Sequence, residues 1–192
     1  MKSLLLQLSV VGLFFLHSLC LAEDYVGRIV GVVDGDTVDL LTDSKQLIRV
    51  RLSGIDAPEK RQAFGDVAKK ALSDLTFDRR AIISGDKRDK WGRLVGKVTV
   101  SGTDANLQMI RHGLAWHYKR FQKEQPLEDR NTYAEAELIA KAKQVGLWSD
   151  KHALPPWEFR AEGRNVIEVC REANARVLKC NAVRGTYRSD RT

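Results

Sequence analysis

From Tyr25 to Pro58, apolar and polar residues alternate, interrupted only by short clusters of Gly, Asp and Ser. "YVGRIVGVVDGDTVDLL" and "QLIRVRLSGIDAP" carry the two-residue period of half-buried strands, and Asp34-Gly35 is a tight-turn signal. Consecutive strands joined by such short turns run antiparallel. The period then changes: in residues 66–77, "DVAKKALSDLTF", Val67, Ala68, Ala71, Leu72 and Leu75 share one helical face. "AIISG" and "LVGKVTVSG" return to strand character, and "TDANLQMIRHG" predicts a short helix with a Thr/Asp start and Gly113 as its stop. A longer helix is expected over 129–145, with Ala134, Leu138, Ala142 and Val145 as its apolar stripe, after which "LPPWEFR" is expected to end regular structure. This order predicts an α+β chain whose strands close into a small barrel with helices packed on it.

The two ends read differently from the middle. Residues 1–22 open with Lys2, run through a mostly apolar stretch and finish at Cys20-Leu21-Ala22, with small residues where a signal peptidase requires them. Gln7, Ser9 and His17 interrupt the run, which favours a cleaved signal peptide over a retained anchor. The expectation is therefore a secreted or periplasmic protein with no stable membrane association after cleavage. Charged residues make up 30% of the chain, against membrane embedding, and the formal charge of +7 invites a polyanionic partner. Cys170 and Cys180 remain once Cys20 has left, and in an oxidising compartment such a pair predicts a disulfide. The expected organisation is a signal peptide over 1–22, a main folded domain over 23–156 and a disulfide-bearing extension over 157–192, acting as a monomer.

Three acids, Asp34, Asp36 and Asp39, stand within the first hairpin. Thirteen residues past that turn, "IRVRLSGIDAPEKR" places Arg49 and Arg51 on one strand face, with Asp56 and Glu59 flanking Ala57-Pro58. Asp36 and Asp56 can approach each other at neighbouring strand ends. Two apposed carboxylates call for a cation or a shared proton. With no suitable Cys or His cluster, oxygen donors favour Ca²⁺ over Zn²⁺. Asp34 is expected to support Asp36, and Asp39 to face solvent. His112 and His117 are five residues apart and would point to different sides of a helix, against a metal role.

Taken in order, "VVDGDTVDL", "VRLSGIDAPE", "DKWGRLVGKV", "IRHGLAW" and "AKAKQVGLWS" resemble the thermonuclease, or staphylococcal-nuclease-like, family over Tyr25 to Ser149. The resemblance implies a five-stranded OB-type β-barrel with about three packed helices, a single Ca²⁺, and hydrolysis of phosphodiesters in DNA and RNA. It implies that Asp36 and Asp56 are the metal-binding carboxylates and that Ala57, where the family often has Thr, supplies a main-chain carbonyl. Glu59 matches the catalytic glutamate, and Arg51 and Arg93 match the phosphate-binding arginines. Lys90 and Trp91 in "DKWGR" are expected to face nucleic acid, and Trp116 and Tyr118 in "AWHY" match the nucleotide-binding aromatics with a small gap. The rival reading is an OB-fold nucleic-acid-binding module without catalysis. Such a module should lack one of these charged residues, and this sequence keeps them all.

Overall fold

The computed structural model describes residues 24–163; the expected signal peptide and the Cys170–Cys180 pair lie outside them. β1 (Tyr25–Asp34), β2 (Thr37–Thr42) and β3 (Leu47–Leu52) form an antiparallel meander, followed by a two-residue β4 (Ile55–Asp56) and α1 (Gly65–Thr76). β5 (Arg80–Arg88) pairs antiparallel with β1 and with β6 (Leu94–Val100). Parallel pairing of β3 with β6, from Val50↔Leu94 to Leu52↔Gly96, closes the five long strands into a barrel. Among the described residues, closure leaves no long unpaired edge. β7 (Thr103–Asp104), α2 (Ala105–Arg111), β8 (Trp116–His117) and α3 (Leu127–Ala142) follow, with 3₁₀ turns at Lys119–Glu124 and Gly146–Ser149. The architecture is the expected α+β, OB-type barrel with packed helices.

The alternation seen in the sequence does place the core. Val38, Leu40, Val50 and Leu52 point inward from β2 and β3 and meet Ile29, Ile83, Leu94 and Val98, each no more than 1% exposed. α1 adds Ala68 and Leu72, and α2 adds Met109 and Ile110. Each of these Val, Leu, Ile and Met side chains contributes about 1.5–3 kcal/mol through burial. Beside the β3–β6 seam, the buried Asn106 of α2 replaces missing ladder bonds. Its Nδ2 donates to the Ser53 carbonyl at 2.9 Å and the Gly96 carbonyl at 3.3 Å, while its Oδ1 accepts the Val98 N–H at 3.0 Å.

Three expectations fail, each for a physical reason. Val67 is 53% exposed, because α1 rests on Ala68 and Leu72 and Val67 lies outside that line. α3 packs through Tyr133, Ala136, Glu137 and Ala140, leaving Leu138 66% exposed. Its inner face is partly polar: Tyr133 donates to Asp104 at 2.8 Å, and Glu137 accepts the His117 N–H at 3.1 Å while pairing with Lys119 and Lys141. An apolar stripe therefore marks the wrong side. Finally, "LPPWEFR" starts structure, since residues 156–163 are helical. Pro156 occupies a first-turn position, where the missing N–H costs nothing, and the Glu158 and Phe159 N–H groups both reach back to the Pro155 carbonyl.

Candidate active site

β1 ends at Asp34 and β2 begins at Thr37, so Gly35-Asp36 is a two-residue turn. The Asp34 carboxylate accepts the Asp36 N–H at 3.1 Å and shapes that turn. Gly35 lies so close to its neighbours that a Cβ would meet those of Ala57 and Ala68 at 2.7 Å. Asp36 is thereby carried to the β4 segment, where its Oδ2 accepts the Ala57 N–H at 2.8 Å; its Oδ1 accepts the Thr37 hydroxyl at 3.2 Å. Asp56 is held there by backbone pairing of β4 with β8, opposite Trp116. Arg51 Nη2 lies 3.1 Å from Asp36 Oδ2 and 2.8 Å from Asp56 Oδ1. The two acids expected to meet do meet, through one guanidinium. Asp39 does not simply face solvent: it takes a forked bond from Arg49, its cross-strand partner, at 2.9 and 3.2 Å.

Burial dominates the electrostatics here. It pushes the Asp36 carboxyl up to about 7; Arg51 opposes that shift, and the Asp34 and Asp56 charges reinforce it. A group this reluctant to carry its charge gains from a nearby cation. Among the described residues no cage of three or more His, Cys, Asp or Glu side chains forms, so any ion would rest on a sparser set. Asp36, Asp56 and the Ala57 carbonyl fit that description. Ala57 is buried, and among the described residues its carbonyl accepts no hydrogen bond. Oxygen donors of this kind suit a hard cation such as Ca²⁺.

Glu59 sits in the turn after Pro58, its N–H donating to Gln62 Oε1 at 3.1 Å and its carbonyl accepting the Gln62 N–H at 2.8 Å. Its carboxylate meets Arg160 Nη1 at 2.6 Å, and Arg160 Nη2 reaches Asp56 Oδ2 at 2.8 Å. Arg93 Nη1 stands 3.4 Å from the Thr37 hydroxyl, next to Asp36 in the chain. Asp89 holds Arg93 through Nε at 2.7 Å and also accepts the Arg93 and Trp91 N–H groups. Burial would raise the Asp89 carboxyl, but those bonds outweigh it and its pKa is lowered. Arg51 is less free than expected for a phosphate fork. Its Nη1 donates to the Leu52 and Ile55 carbonyls, both at 3.0 Å, and its Nη2 serves the two aspartates.

The expected nucleic-acid contacts divide. Trp91 is 69% exposed, with Lys90 and Arg93 over its ring at 4.4 and 5.0 Å. Trp116 is buried instead, wedged edge-on between Trp148 and Trp157, so it has no open face for a base. Tyr118 is half-buried and stacks with Trp157 at 5.5 Å. His117 is buried with Nε2 2.9 Å from Gln125 Oε1; burial lowers its pKa, while His112 is exposed. Neither histidine joins the carboxylates. Gln62, Asp89, Trp157 and Arg160 were not singled out from the sequence; Asp89 alone carried a signal, lying four residues before Arg93 in a Gly-containing turn.

A closed OB-type barrel on a basic chain suits a nucleic-acid partner, and the arginines and carboxylates brought together beside it are groups that can act on a phosphodiester. The chain belongs to the staphylococcal nuclease homologue family, which matches residues 49–150. It is 40% identical over 148 residues to the Escherichia coli protein ParB, covering 72% of this chain and 81% of that one. It is 38% identical over 151 residues to a micrococcal nuclease of Shigella flexneri, covering 74% and 84%. Over 158 residues it is 36% identical to an uncharacterised endonuclease of Haemophilus influenzae, covering 82% and 85%. The protein is a nuclease, a hydrolase whose substrate is nucleic acid. Among the described residues no helix is long and apolar enough to cross a membrane.

Proposed function

We propose that the protein is an exported, Ca²⁺-dependent nuclease that hydrolyses phosphodiester bonds in DNA and RNA by direct attack of water. The observation that carries this reading is the convergence of Asp36, from the β1–β2 turn, and Asp56, from β4, on Arg51, with Glu59 joined to Asp56 through Arg160 and Arg93 standing near Thr37. Asp36, Asp56 and the Ala57 carbonyl would hold the ion, which would supply positive charge to the phosphate when bound. Glu59 accepts a proton from the attacking water. Arg93, steadied by Asp89, binds the phosphate through its outer nitrogens and offsets charge that develops at the leaving oxygen. Arg51 bridges the two aspartates, offsets their mutual repulsion and adds fixed positive charge to the site. Contacts of this type address phosphate rather than sugar, consistent with both nucleic acids as substrates. Export rests on residues 1–22 as a cleaved leader, and an oxidising destination would close Cys170 and Cys180 into a disulfide.

The test is incubation of the purified protein with single- and double-stranded DNA and RNA, in Ca²⁺ or in chelator. Cleavage in Ca²⁺ and none in chelator is expected. Full turnover in excess chelator would remove the ion from the mechanism. Tight binding with no cleavage would hand the site to the non-catalytic binding module.

A further inference from the structure

We infer that the helix over residues 156–163 completes the active site, with Arg160 as a positioning residue that holds Glu59 against Asp56 for hydrolysis. This deepens the function proposed above and rests on the roles assigned there to Glu59 and Asp56. Arg160 lies beyond residues 49–150, the stretch matched by the family.

The guanidinium spans both acids. Nη1 lies 2.6 Å from Glu59 Oε1 and 3.3 Å from Asp56 Oδ1, while Nη2 lies 2.8 Å from Asp56 Oδ2. A planar fork engaging two carboxylates fixes their mutual angle as well as their charge, which a lysine ammonium cannot do. The two acids need this to different degrees. The Asp56 side chain is 2% exposed and already pinned by Arg51, whereas that of Glu59 is 39% exposed on a loop. Among the described residues, Arg160 is the one group that donates to the Glu59 carboxylate. Without it, Glu59 would sample several rotamers, and a base must lie within hydrogen-bond reach of its water.

Two further contacts seat the helix against the same turn. Gln62, which accepts the Glu59 N–H, donates its Nε2 to the Leu154 carbonyl just before the helix. Trp157, one helical turn before Arg160, stacks on Tyr118 at 5.5 Å and meets Trp116 edge-on at 6.4 Å. Trp116 is the β8 residue paired with Asp56. The helix is thus anchored on the strand pair that carries one acid and on the turn that carries the other. Three acids (Asp36, Asp56 and Glu59) face two guanidiniums (Arg51 and Arg160), so the cluster keeps net negative charge and still attracts a cation. Arg160 also stays protonated at working pH, which leaves proton acceptance to Glu59.

The test uses the full chain and four variants: Arg160→Ala, Arg160→Lys, Glu59→Gln and the Glu59→Gln, Arg160→Ala double variant. Single-turnover cleavage of a DNA oligonucleotide in Ca²⁺ is paired with equilibrium binding of the same DNA and with thermal melting. Misplacing a reacting group by about 1 Å costs roughly 10²-fold, and Arg160→Ala should slow cleavage by that order while DNA affinity and melting stay near wild type. Arg160→Lys should remain slow. If Arg160→Ala melts early, rates taken well below its transition and the Lys variant carry the comparison. In the Glu59→Gln background, Arg160→Ala should add little, because its effect runs through Glu59. An equal loss in both backgrounds would overturn the positioning role and leave Glu59 as the base. Unchanged cleavage by Arg160→Ala would also overturn it, as would faster cleavage, which would make the helix a latch. Full-rate cleavage by Glu59→Gln would instead overturn the mechanism beneath it.

Discussion

Asp36 accepts the Ala57 amide at 2.8 Å, so two positions 21 residues apart in the chain are fastened to each other by their own hydrogen bond. The bond helps keep a buried carboxylate in place that burial alone would rather see protonated. Asp36→Asn should relieve that conflict, as replacement of strained active-site groups commonly does. In chelator the variant should melt higher than wild type at pH 8.

The sign of the pH dependence follows from the same residue. Its carboxyl is raised from 3.8 to about 7 in the folded chain, so the folded state binds a proton that the unfolded state has released. That contribution to stability is fully present below 3.8 and is lost as pH rises through about 7. The melting advantage of Asp36→Asn should therefore grow from pH 4 to pH 8, bounded at about 4 kcal/mol by a shift of this size. Added Ca²⁺ should raise the melting point of wild type, with a midpoint near the 10⁻⁴–10⁻³ M expected of sparse extracellular sites (roughly), and should leave the variant unmoved. A flat pH profile for the difference would mean that Asp36 is ionised without cost.

Glu59 and Arg51 should separate catalysis from binding. Glu59→Gln removes a negative charge near a polyanion, so DNA binding should hold or tighten while turnover falls by about 10²–10⁴-fold. Arg51→Ala should weaken binding, lower turnover and reduce the salt slope by about one. It should also destabilise, because Asp36 and Asp56 lose their shared partner. Single-turnover rates, binding isotherms across salt and melting curves would check each part.

Asn106 offers a test of barrel closure remote from the chemistry. Asn106→Ala strands the buried Val98 N–H and the Ser53 carbonyl at the β3–β6 seam, while the Gly96 carbonyl keeps the Ser53 N–H. Leaving a buried donor or acceptor unpaired costs about 1–3 kcal/mol, so the loss in urea unfolding should reach about 2 kcal/mol or more. A smaller loss would mean that water enters the seam.

How far the sequence alone could carry these conclusions depends on how local each cause is. Asp36, Asp56 and Arg51 were legible because a two-residue turn and the strand period set their geometry within the chain's own neighbourhood. The inner face of α3 was not, since Glu137 and Tyr133 are buried by virtue of His117, Lys119 and Asp104 rather than by hydrophobicity. Trp116 reads in the sequence as a base platform, but Trp148 and Trp157, which cover it, come from distant positions in the chain. Arg160 was hidden twice. Two prolines read equally well as the end of a helix or its beginning, and its partner Glu59 lies 101 residues away.

Gly65 provides the sharpest test that the Glu59 turn matters as a shape. It opens α1, where alanine would ordinarily be the better helix former. A Cβ there would stand 2.2 Å from the Glu59 carbonyl oxygen and 3.0 Å from its carbon, both backbone atoms. The clash cannot be relieved by rotating a side chain, so either the helix start or the Glu59 turn must move. Overpacking of this kind costs about 1–3 kcal/mol, and Gly65→Ala should melt lower by a corresponding amount. If the turn is what gives way, cleavage should fall by up to roughly 10²-fold. DNA affinity should be largely kept, because Trp91, Lys90 and Arg93 belong to a different loop. Melting, binding and single-turnover cleavage on the same preparation would separate the effects. A variant that is destabilised yet cuts at the wild-type rate would show that the helix start gives way and the Glu59 turn keeps its shape.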